Sequence, residues 1–168
     1  MSASPRALAV FAALLALLAS ASAPALAAIG EISAQAATKI VEGCAAHAKA
    51  RRQSHAIVVH DEGGHLVAAL RMDGNPPGTT EFAMRKALAV AHWRFSTAEM
   101  DAAAKETPGF RDAPHVVTVA GGIPVFSADG NQFVGAVGVS GEAPADDLAC
   151  AVAGVKAAGL SPSSKPAS

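Results

Sequence analysis

The sequence predicts an α+β domain with helices packed on an antiparallel sheet, and three observations carry that prediction. Two pairs of β-type runs are joined by tight turns, Asp61-Glu62-Gly63-Gly64 in the first and Asp129-Gly130 in the second. Such connections make hairpins, not parallel crossovers. Segments with apolar residues at helical spacing lie before, between and after these hairpins. No regular strand–helix–strand alternation runs along the chain, which argues against a doubly wound parallel sheet.

Residues 1–27 read as a secretory leader and not as part of the fold. Arg6 supplies the positive charge, Ala7 to Leu18 an apolar run, and Ala25-Leu26-Ala27 a small-residue cleavage site. The run is shorter than the ~20 residues a membrane span needs, so no span is expected once the leader is cut. A single domain over residues 28–160 follows, placed in the periplasm or secreted. Residues 161–168 are polar and Pro-rich and are expected to be a disordered tail.

Within the domain, Ile32 to Arg52 has Ile32, Ala36, Ile40, Cys44 and Ala48 four apart, with Ser33 placed to cap the helix. His55–His60 and His65–Met72 form the first hairpin. Asp73 to Gly78 is a loop, and Thr80 to Arg94 a second helix. Ser96-Thr97-Ala98-Glu99 matches a capping box that opens a short third helix. His115–Val119 reads as a further strand leading into the hairpin around Asp129-Gly130. Pro144 to Ala158 is the final helix, with Asp146 and Asp147 favourably placed in its first turn.

The net charge of −1 gives no electrostatic reason to expect nucleic acid as a partner. Aromatic content is 4% with no Tyr, so the core is built from Val, Ile, Leu and Ala. Two cysteines, Cys44 and Cys150, lie in the first and last helices. A disulfide and two separate buried thiols both remain open, because a bridge requires those helices to be neighbours.

Residues with chemical capacity are few. Gly135, Gly138 and Gly141 fall three apart on the last strand, a spacing that fits neither a dinucleotide fingerprint nor a Walker A loop. Their presence signals close approach of a ligand or of backbone. Ser140 and Gly141, just before a helix, could offer backbone N–H groups to a carboxylate or phosphate, or could simply form a tight turn. His47 lies on the apolar edge of the first helix, beside Cys44, either as a core residue or as a metal ligand. His60 and His65 flank a turn with Asp61 and Glu62, which reads best as a solvated turn. His92 and His115 have no local partners. Lys86 reads as a stem lying on apolar surface with its ammonium in water, and Arg71 with Asp73 as a strand-end ion pair.

Several blocks taken in order resemble one family: Val59-His60-Asp61-Glu62-Gly63-Gly64-His65-Leu66-Val67, Arg71-Met72-Asp73-Gly74, Lys86-Ala87 with Phe95-Ser96-Thr97, Pro108-Gly109-Phe110, Gly121-Gly122-Ile123-Pro124 and Val134 through Gly141. This set resembles the GlcG/HbpS-type haem-binding (haem-degrading) family, related to the C-terminal domain of PduO-type corrinoid adenosyltransferases. The resemblance implies a profilin-like α+β domain with an antiparallel sheet of about five strands and flanking helices, assembled as a homo-oligomer. It implies haem as cofactor, with His47 as the ligand to its metal and Arg71, Ser140 or Gly141 near the propionates. His60 stands where the family more often has an aliphatic residue, and no E-x-x-E pair of the kind linked to iron binding is present. Two other readings stay open: an enzyme or accessory subunit acting on a small-molecule carboxylate held near Ser140 and Gly141, and an oligomeric structural module without its own chemistry.

Overall fold

The structure, a computed structural model, describes residues 30–166. The expected leader lies outside the described residues. Five regular helices and strands of the first half are α1 (Ala34–Arg51), β1 (Ala56–Asp61), β2 (Leu66–Arg71), α2 (Pro77–Trp93) and α3 (Thr97–Glu106). A short 3-10 turn at Phe110–Asp112 precedes β3 (Gly122–Phe126), β4 (Phe133–Ser140) and α4 (Pro144–Ala157). The sheet is antiparallel throughout in the order β2-β1-β4-β3. It therefore has four strands rather than about five, within the profilin-like α+β class. The missing strand is 115–119. His115 adopts a left-handed φ of 61°, which turns the chain across α2, where Val116 and Val117 pack on an apolar cluster without entering the ladder.

Alternation along the strands assigns the two faces of the sheet. Ile57 and Val59 of β1 and Val137 and Val139 of β4 join α1 and α4 in the main core, with Ile40, Cys44, Ala151 and Val155. Ala56 and Val58 face the other way and meet Ala83 and Ala87 of α2. β4 is small on that side. A Cβ at Gly138 would collide with the backbone of α2 at Ala83 and Ala87, so the glycine lets helix and strand touch. The glycine spacing thus marks backbone approach and not a ligand.

The caps follow the sequence. The Ser33 hydroxyl accepts from Ala36 N–H at 3.1 Å. Ser96 and Glu99 form both halves of the capping box, a device worth about 1 kcal/mol. α2 starts earlier than expected because Pro77 occupies its first position, where a missing N–H costs nothing. Cys44 and Cys150 are bonded to each other. The disulfide ties α1 to α4, so of the two states left open by the sequence the bridged one holds. Residues 161–166, expected to be a disordered tail, instead lie along the last hairpin. Ser161 bridges Phe126, and Lys165 N–H donates to Gly130 C=O at 2.8 Å, which supplies the backbone partners that composition alone does not reveal.

Candidate functional site

Three layers meet at the end of the sheet where β4 leaves for α4, and there the chain buries three ionisable side chains together. Asp147, in the first turn of α4, receives Lys86 Nζ of α2 on Oδ2 at 2.9 Å. Its Oδ1 lies 3.0 Å from Nδ1 of His55, the residue before β1, and 3.2 Å from the Glu142 N–H that donates to it. Lys86 also donates to Val139 C=O at 2.9 Å and lies over the Phe82 ring. Lys86 and His55 are fully buried and Asp147 is 2% exposed. Burial pushes the Lys86 amine below its usual range, and the Asp147 carboxylate opposes that shift. The expectation that the Lys86 ammonium reaches water is therefore overturned: the amine is directed inward to a carboxylate from another helix. The cluster is a staple between layers.

The predicted ligand-binding residues gather at the same end. Arg71 donates to Asn75 C=O at 2.7 Å, and Asn75 Nδ2 donates to Ser54 Oγ at 2.6 Å. Ser54 N–H in turn donates to the Glu142 carboxylate at 3.0 Å. Gly141 sits against this network with a φ of 145°, and a Cβ there would press on Ser54 C=O and Asn75 Oδ1. Ser140 is 6% exposed. The chain's own carboxylates thus take the N–H groups of Ser54 and Glu142. Arg71 lines an open groove of about 570 Å³ between α1 and β2, shared by Lys49, Glu42 and Asp73. Its mixed charges favour neither sign.

His47 is half-buried on α1, and its Nε2 is buried without a partner among the described residues. Burial first, and then the charge of Arg51, hold the imidazole below its ordinary value of 6.5. It lines none of the cavities described here. No group of three or more His, Cys, Asp or Glu among the described residues could hold a metal ion.

Another opening, this one beside a histidine, lies between α2 and residues 115–119. This cleft of about 530 Å³ is walled by Phe82, Leu88, Val116, Val117 and Val119, with Arg85 and His115 as its polar groups. The imidazoles of His115 and His92 stack with centroids 4.2 Å apart and planes within 7°. Arg85 has no ion pair or hydrogen bond among the described residues. Apolar walls with a few convergent polar groups are the usual make-up of a small-molecule site. Sequence reading passed over these residues because His115 pairs with His92 only through the fold. One signal was available: Phe82, Arg85 and Leu88 recur at three-residue steps, a second stripe on α2 beside its buried one.

A smaller cavity of about 280 Å³ adjoins it through Arg85 and Leu88, and its inner wall is His60. His60 is 4% exposed, so it is not the solvated turn residue the sequence suggested. Burial lowers its pKa, and the nearby Asp61 charge opposes this. The unfolded imidazole titrates at its ordinary value of 6.5, so the unfolded chain binds the proton first. The stability held by neutral His60 is complete above pH 6.5 and is lost as pH falls from there toward the lowered folded value. His60→Val, which installs the family's aliphatic type, is expected to flatten this acid-side loss and to raise the midpoint. Denaturant melts between pH 7.5 and 5 measure both effects.

A four-stranded antiparallel sheet between helix layers, with an apolar cleft on its outer helix, defines a profilin-like α+β class of domain. The chain belongs to the family described as haem degrading protein HbpS-like, whose model matches residues 32–156. It is 36% identical over 110 residues to Protein GlcG of Escherichia coli strain K12, covering 65% of this chain and 81% of GlcG. The crystal structure of HbpS is similar at a TM-score of 0.68 and 28% identity, over 75% of this chain and 89% of HbpS. The crystal structure of the PduOC:heme complex, at 20% identity, shares the fold with a TM-score of 0.71 over 79% of this chain and 99% of that one.

Proposed function

We propose that this protein is an exported haem-binding protein and that the cleft on the outer face of α2 receives the haem. The observation that carries the proposal is the combination in one cleft of apolar walls, the exposed imidazole of His115 and the unpaired guanidinium of Arg85. The residues fit the group by its chemistry. Val116, Val117, Leu88 and Phe82 suit the macrocycle, His115 offers iron an imidazole nitrogen, and Arg85 suits a propionate. Bound haem would supply redox-active iron, while the chain's part is to exclude water from one face and to orient the ring. Membership of the haem degrading protein HbpS-like family supports haem as the ligand, and the fold is shared with the PduOC:heme complex. Export is proposed from the leader-like residues 1–27 and is consistent with the Cys44–Cys150 disulfide, since such bonds persist in oxidising compartments. Self-association is part of the same reading. β2 is an edge strand, and Leu66, 55% exposed, and Leu70, 37% exposed, lie on it.

Hemin titration tests the site. The wild type is expected to show a shifted Soret band, His115→Ala to lose most of that shift, and His47→Ala to keep it. Loss with His47→Ala and retention with His115→Ala would return the ligand to α1 and overturn the cleft.

A further inference from the structure

We infer that residues 115–121 form a flap over the cleft on α2, hinged at His115 and Gly121 and latched by Arg111. What enters the cleft rests on the haem reading, but the flap is a property of the chain alone. The two walls of the cleft are held differently. α2 is fixed from behind, where Lys86 donates to Asp147 and to Val139 C=O and Ala83 and Ala87 sit against the backbone of Gly138. Any change in the width of the cleft therefore falls on the other wall. From Val117 to Ala120 that wall makes no main-chain hydrogen bond among the described residues. Segments of this kind occupy the low-stability end of a native structure, from which lids are drawn.

The ends of the wall, by contrast, are anchored. Trp93 Nε1 donates to Pro114 C=O at 2.9 Å, and Val139 N–H donates to Gly121 C=O at 2.9 Å. At these anchors the backbone is left-handed, with φ of 61° at His115 and 123° at Gly121. Two turns at fixed ends are where a few residues absorb the backbone change of a hinge. Val116 and Val117 hold the wall by apolar packing, which is non-directional and yields to sliding. His115 lies at the hinge and keeps its stack on His92, so its imidazole stays in place while Thr118 to Ala120 swing. Beyond the hinge, one directional tie joins the flap to the helices. Arg111 Nη1 donates to Thr118 Oγ1 at 2.8 Å, and its Nη2 lies 3.5 Å from Asp101 Oδ1 of α3. The planar guanidinium serves both partners at once, which a lysine does not. The Arg111 side chain is 58% exposed and that of Asp101 31%, so the latch is weak and opens readily. Asp101 also pairs with Lys105 at 2.6 Å, which keeps its carboxylate in place when Arg111 leaves.

Relaxation dispersion of the backbone amides of the full chain, without hemin, tests the flap. Exchange on the μs–ms scale is expected at Val117 to Ala120 and not at Val137 or Val139 of β4. Arg111→Gln is expected to raise the open population by up to about fivefold, and Arg111→Lys to resemble it. Flat dispersion at Val117 to Ala120 in both wild type and Arg111→Gln overturns the flap. Stopped-flow uptake of hemin reads the latch. The wild-type rate is expected to level off as hemin rises, because entry waits for opening, and Arg111→Gln to raise the plateau. The latch serves free and loaded protein alike, so association and dissociation are expected to quicken together with affinity unchanged. Loss of affinity through dissociation alone would place Arg111 in the haem site and overturn its role as latch. Exchange at Val117 to Ala120 with no Soret shift in wild type would leave the flap standing and sink the haem reading.

Discussion

Lys86→Met is expected to destabilise the protein by about 3–5 kcal/mol, the usual cost of removing one partner from a buried ion pair. For a domain of this size that corresponds to a fall in melting temperature of roughly 10–15 °C. The cause is Asp147, whose buried carboxyl group would be left facing only the His55 ring and the Glu142 N–H. Thermal or urea unfolding of the purified variant measures the loss. The double change Lys86→Met with Asp147→Leu should recover much of it, because apolar replacement of a whole buried pair is often neutral. A single variant as stable as wild type would show that the staple contributes nothing. The result matters beyond stability, since Lys86 lies on the inner side of the helix whose outer side carries Phe82, Arg85 and Leu88. Loosening α2 is therefore expected to weaken hemin binding without any change in the cleft's own residues.

Reduction of Cys44–Cys150 carries the second large effect. The bridge joins residues 106 apart in sequence, and closing a loop of that order constrains the unfolded chain by about 4–5 kcal/mol in the entropic account. Both sulfurs are buried in the core between α1 and α4, so a thiol reagent reaches them when the helices part. Native protein is expected to resist dithiothreitol, and the reduced protein to unfold at clearly lower urea than the oxidised one. Cys44→Ala with Cys150→Ala should unfold near the reduced midpoint and be indifferent to reductant. Identical urea midpoints for oxidised and reduced wild type would rule out a stabilising role.

The histidines show how far reading a sequence goes when the partners are distant. His60 is flanked by Asp61 and Glu62, and its neighbourhood in sequence is a polar turn. In the fold its ring lies on the α2 side of β1, the face already set by Ala56 and Val58. His47 looked distinctive because it shares an apolar stripe with Cys44, yet it lines none of the cavities described here. His115 looked ordinary, but the left-handed turn at that residue brings it against His92, 23 positions earlier in the sequence. Arg71, Ser140 and Gly141 do come to one end of the molecule, where the Glu142 and Asp147 carboxylates hold the N–H groups of Ser54 and Glu142.

What the sequence determined by itself was everything governed by neighbours within a few residues. Helical spacing, Ser33, the Ser96–Glu99 capping box, the Asp129-Gly130 turn and strand alternation specified the elements, and with them the α+β class. The ordered motif blocks specified the family. Tertiary structure alone decided which side chains share a space. The pairing of Cys44 with Cys150, the meeting of Lys86, His55 and Asp147, and the replacement of a fifth strand by a wall of the cleft all join residues far apart in the chain. Local periodicity encodes which face of an element is buried, but not which distant element covers it, and the charge of Lys86 has meaning only once Asp147 lies opposite.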